Sequence, residues 1–74
     1  MNLDKFSGYE LETACRKTAD GRYSVEIVIS KELDGKVYRN HFIDSKISLV
    51  LPEEANKESL NFGKNLIKRN LVGF

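Results

Sequence analysis

The sequence predicts an α+β domain: three antiparallel strands followed by one C-terminal helix packed on one face of the sheet, in the order β-β-β-α. Three observations lead there. Within residues 22–30, Tyr23, Val25, Ile27 and Ile29 fall on one side of an extended chain, and Ser24, Glu26, Val28 and Ser30 on the other. That alternation belongs to a strand with one buried face. Asp34-Gly35 follows as a two-residue hairpin signal. Finally, Ala55, Ser59, Phe62, Gly63, Leu66 and Ile67 recur at helical spacing after Pro52.

Residues 1–8 are polar apart from Met1, Leu3 and Phe6, and are expected to be a flexible lead-in to a single domain over residues 9–74. The first strand is expected over residues 9–17. Tyr9, Leu11, Thr13 and Cys15 form its inner side, and Glu10, Glu12, Ala14 and Arg16 its solvent side. The turn that follows is fixed by register. A two-residue Asp20-Gly21 loop would set Arg16 opposite Val25 and Glu12 opposite Ile29, placing charge in the core at a cost of several kcal/mol. A three-residue loop from Ala19 to Gly21 instead sets Cys15 opposite Val25, Thr13 opposite Ile27 and Leu11 opposite Ile29. Gly21 then takes the left-handed position.

The Asp34-Gly35 turn pairs Glu32 with Val37, Ile29 with Asn40 and Ile27 with Phe42. The third strand is expected from Lys36 to about Ile43, with Tyr38 and Phe42 on the inner side. Two independent turns thus agree on one buried face. Residues 44–51 allow two courses, a continuation of the strand after a bulge at Asp44-Ser45 or a short fourth strand. The expectation is an extended segment that leads into the helix. Pro52 suits the first helical turn. Glu53 and Glu54 complement the positive end of the helix dipole, and Lys64, Lys68 and Arg69 the negative end. Ala55, Ser59 and Gly63 are small and four apart, which lets the helix approach the sheet closely. Leu71, Val72 and Phe74 are expected to fold back on the domain or to meet a second subunit.

With 74 residues the chain forms one domain. A domain of that size buries only about 60–65% of its unfolded surface, so a partner subunit would matter. Hydrophobic residues at 41% against 31% charged residues place it among folded rather than disordered chains. Twelve basic and eleven acidic residues leave a net charge of +1, without the basic excess of a dedicated nucleic-acid binder. No apolar run is long enough to span a membrane. Met1-Asn2-Leu3-Asp4-Lys5 lacks the apolar core of a signal peptide, so a cytoplasmic location is expected. The single cysteine, Cys15, fits a reducing compartment and is expected to pack as a small hydrophobe. No motif points to a cofactor, a metal or an enzymatic activity.

Three surfaces are candidates for function. Glu10, Glu12, Glu26, Arg39 and His41 share the outer sheet face, where a flat surface makes a poor catalytic pocket. On the same face Ala14, Val28 and Ile43 form an apolar strip with His41 and Arg39 beside it, the composition of a modest protein interface. A homodimer or another protein partner is the expectation there. Lys57, Lys64 and Lys68 share a helix face close to Arg69, which is the alternative, a nucleic-acid contact. Glu53, Glu54 and Glu58 break that positive field. Open sheet edges invite pairing with another chain.

Glu53-Glu54-Ala55, then Phe62-Gly63-Lys64 and Leu66-Ile67, after the two Asp-Gly turns, resemble short uncharacterised bacterial proteins of β-β-β-α layout over about residues 9–69. That likeness implies the fold and carries over no functional residue. The layout is also similar to the double-stranded RNA-binding domain. That family has a further N-terminal helix, and its last helix opens with phosphate-gripping lysines where this chain has Pro52-Glu53-Glu54-Ala55. HicB-like antitoxins share the strand order and a helix rich in Glu-Glu-Ala. Their proline- and glycine-containing segment before the helix is not matched by residues 45–51.

Overall fold

The computed structural model of the chain describes residues 3–74. Over them the chain forms four antiparallel strands and one C-terminal helix. These are β1 (Leu3–Phe6), β2 (Tyr9–Thr13), β3 (Tyr23–Leu33), β4 (Lys36–Leu49) and α1 (Pro52–Lys68). The strands pair in chain order, β1-β2-β3-β4. The class is α+β as the sequence predicts, but the sheet has four strands and not three. The expected lead-in over residues 1–8 is corrected in part, since Leu3–Phe6 is the added strand; residues 1 and 2 lie outside the described residues.

β1 escapes the alternation rule for a physical reason. Leu3 pairs with Glu12 and Lys5 with Glu10 on the outer face, so an apolar and a charged residue share one side. Asp4 sits on the helix side, where its carboxylate meets Lys64 at 3.3 Å. The register is closed by Phe6 opposite Tyr9 around Ser7 and Gly8, with φ of 51° and 82°. Two positive φ values define the tight turn that matches strand twist, and glycine takes the second without strain. Asp34 and Gly35 make the same turn between β3 and β4.

The register between β2 and β3 contains the predicted pairs Leu11–Ile29 and Thr13–Ile27. The three-residue loop is present too. The Thr18 amide donates to the Arg22 carbonyl at 2.7 Å, and Gly21 has a φ of 82°. β2 itself ends at Thr13, short of Lys17. Beyond it the chain tracks β3 through the Ala14 amide on the Glu26 carbonyl and a bridge from Lys17 to Tyr23. β4 pairs as predicted to Glu26–Ile43, keeps that register for one further pair, Val25–Asp44, and resumes at Ser24–Ser48, leaving Ser45, Lys46 and Ile47 as a bulge. The Lys46 amide donates to the Asp44 side chain at 3.1 Å inside it. The strand therefore runs on through the bulge to Leu49 instead of ending near Ile43.

The helix lies across β2, β3 and β4 on the inner face. Leu11, Val25, Ile27, Ile29 and Ala55 are fully buried, with Ile67 and Val72 nearly so. Each such aliphatic larger than alanine contributes about 1.5–3 kcal/mol by leaving water. Gly63 sets the helix height. A Cβ there would stand 3.0 Å from Ile27 Cγ1 and 3.3 Å from Leu11 Cδ2. The helix ends at Lys68, and Asn70 beyond its C-cap Arg69 turns the chain with a φ of 54°. The Leu71 amide donates to the Leu66 carbonyl and the Asn70 amide to that of Ile67, the hydrogen bonds of a left-handed helix stop. The tail then folds back. Tyr9 Oη donates to the Phe74 carbonyl at 2.7 Å, and Asn40 Nδ2 to the Val72 carbonyl at 3.1 Å.

Candidate functional site

Helix and tail cover the inner face of the sheet. Among the described residues no element covers the outer face, and the pairing register arranges its side chains in rows. Lys5, Glu10, Ser30 and Arg39 form one row across the four strands, and Leu3, Glu12, Val28 and His41 the next. A third row holds Ala14, Glu26 and Ile43. Ala14 and Val28 are half-buried, while Ile43 is 49% and Leu3 76% exposed. The predicted apolar strip is therefore a triangle around Val28, with Glu26 between its other two corners.

Glu26 is the unexpected member, because its side chain on this open face is fully buried. Its neighbours close over it. Arg16 Nε donates to Oε2 at 3.0 Å, and the Ser24 hydroxyl donates to the same oxygen. Oε1 has no aligned hydrogen-bond donor among the described residues; His41 Nε2 lies 2.8 Å from it. Desolvation pushes the Glu26 carboxyl up. Ser24, Arg16 and His41 together outweigh it and hold the group below the usual carboxylate range. The sequence placed Glu26 among solvated charges. The signal that finds its burial is diagonal: Arg16 and Ser24 are cross-strand neighbours one row from it, and His41 is one row away on β4.

The remaining outer charges stay wet. Arg39 lies 3.9 Å from Glu12, with side chains 62% and 31% exposed. Two open depressions meet at Val28 and Arg39. One, of about 430 Å³, is lined by residues that include Leu3, Lys5, Glu10 and Glu12. The other, of about 270 Å³, is lined by Ala14, Val28, Arg39, Asn40 and His41. The five interface candidates Ala14, Val28, Ile43, His41 and Arg39 thus occupy one continuous face. Leu3 joins them, a residue that sequence reasoning placed outside the sheet.

The nucleic-acid candidates are not on this face. Lys57 and Lys68 are exposed on the helix and Arg69 at its C-cap, while Lys64 is held by Asp4. The Lys5 amide and then Lys64 keep the Asp4 carboxyl below its ordinary range. Cys15 lies on the helix side, with Sγ 3.1 Å from Ser59 Oγ. The Ser59 hydroxyl also accepts the Glu26 amide at 3.1 Å. Among the described residues no three His, Cys, Asp or Glu side chains converge as metal ligands, and no helix is long and apolar enough to cross a membrane.

Fold and face together define a two-layer α+β domain with one sheet face packed and one open. Scans of family models, of curated proteins and of solved structures each return no match to this chain.

Proposed function

We propose that the domain is a non-enzymatic protein-interaction module that self-associates through the outer face of its sheet. The observation that carries this reading is the grouping of Ala14, Val28 and Ile43 on an uncovered face, with Leu3 at its edge, flanked by Glu10, Glu12, Arg39 and His41. An apolar centre inside a charged rim is how a modest interface is built. Burial of Glu26 by its own neighbours supports the reading, since the carboxylate beneath the triangle is already paired.

The size of the face sets the strength to expect. Strand lengths and a spacing of about 4.8 Å give roughly 500 Å² in projection. A standard interface buries roughly 800 Å² per partner. A concentration-dependent dimer is the expectation. Light scattering across a dilution series from millimolar to low micromolar tests it. The mass should fall from two chains to one on dilution, and Val28→Lys should give one chain throughout. A wild-type mass of one chain at every concentration would overturn the proposal.

A further inference from the structure

We infer that the occupant of the outer face is a second copy of this chain in one particular orientation. Its two-fold axis runs between the two sheets, parallel to β3, so that β2 of each copy lies over β4 of the other. This inference rests on the self-association proposed above and adds its geometry.

Charge selects the orientation. On the outer face β2 presents Glu10 and Glu12, and β4 presents Arg39 and His41 at the same two heights. The strand with two glutamates and the strand that carries Arg39 flank β3. Two sheets that pack face to face across a two-fold axis with strands roughly aligned have two choices. An axis across the strands puts β2 over β2 and β4 over β4. Glutamates of β2 then meet glutamates of β2, and Arg39 is left over the second copy's β4 with no carboxylate opposite it. An axis along the strands exchanges left and right but keeps height. Glu10 then faces the second copy's Arg39, and Glu12 its His41, each contact occurring twice. The opposite charges of Glu10 and Arg39 favour this arrangement, and the facing glutamates disfavour the other.

Shape agrees with charge. In the favoured arrangement Ala14 faces Ile43 of the other copy, a small side chain against a large one that is half-exposed in the single chain. Val28 meets Val28 on the axis, where Ser30 also leaves room. Glu26, the acid on the axis, is fully buried and already held by Arg16 and Ser24. Two charged neighbours lie within each copy: Lys5 beside Glu10, and Glu12 beside Arg39. Neither removes the difference in sign between the two strands.

Charge exchange tests the orientation. Glu10→Lys and Arg39→Glu both alter exposed side chains. Each variant alone should dimerise at least about tenfold more weakly than wild type, because like charges then meet at two symmetry-related points. An equimolar mixture of the two should recover a dimer near wild-type strength, since every cross-copy pair is again opposite in sign. Wild-type association should also weaken with added salt. Far-UV circular dichroism of each variant checks that the fold is retained. Tighter association of Glu10→Lys alone, or a mixture no stronger than its components, would overturn the inference. If Val28→Lys still splits the dimer in that case, the face remains the interface and only the orientation fails. A wild-type chain that never dimerises would overturn the orientation and the self-association together.

Discussion

Ile27 and Val28 are adjacent in β3 and similar in chemistry, yet they lie in different environments. Ile27 points under the helix and is fully buried against the position of Gly63. Val28 points the other way, into an uncovered row between Glu12 and His41. The inner face is held by apolar burial and close approach. The outer face is organised by charge, with one carboxylate folded beneath its neighbours and the others left wet. One strand thus serves two purposes, and a single residue step separates them.

Substitutions on the two faces should therefore differ sharply when unfolding is measured at concentrations where the chain is single. The largest effect is expected from Ile27→Lys, which buries an unpaired charge. It should cost several kcal/mol, comparable to the roughly 5 kcal/mol margin of a small domain, and leave no cooperative urea transition. Gly63→Leu comes next. Its side chain would overlap Ile27 and Leu11, so a loss of about 3 kcal/mol is expected from the urea midpoint.

Glu26→Gln tests the buried carboxylate of the outer face and should cost about 2 kcal/mol near neutral pH, since Arg16 is largely exposed and its pairing is screened. The sign of its pH dependence follows from the lowered pKa. Stability from Glu26 is fully present above the ordinary value of 4.5 and is lost as pH falls through the lower folded-state value. Wild type should lose more stability than Glu26→Gln over that acidic window in denaturation curves taken at several pH values. Equal slopes would contradict the pairing. The smallest effect on the single chain is expected from Val28→Lys, within about 0.5 kcal/mol of wild type. That near-neutrality beside the collapse of Ile27→Lys is the sharpest form of the contrast.

The inner face was legible in the sequence because its signals are local and repeated. Alternation in residues 22–30, the Asp34-Gly35 turn and the small residues at Ala55, Ser59 and Gly63 each fix one part of it, and they agree. The register around Ala19-Asp20-Gly21 followed from keeping Glu12 and Arg16 out of the core. β1 was not legible, because Asp4 faces the helix side and finds Lys64 there, which breaks the apolar pattern. The continuation of β4 was obscured by a bulge that shifts register by three residues between Asp44 and Ser48. On the outer face, sequence gave the members of the apolar group but missed Leu3. It also missed the burial of Glu26, because that depends on diagonal neighbours from two other segments rather than on its own alternation.

The two-face account is tested most directly by methyl-resolved NMR with a soluble paramagnetic probe, recorded on dilute and concentrated wild-type protein. Methyl groups of Ile27 and Ile29 should be shielded from the probe at both concentrations. Those of Ala14, Val28 and Ile43 should be accessible when dilute and shielded when concentrated. Outer-face methyls that stay accessible at every concentration, or Ile27 methyls that become accessible, would contradict it.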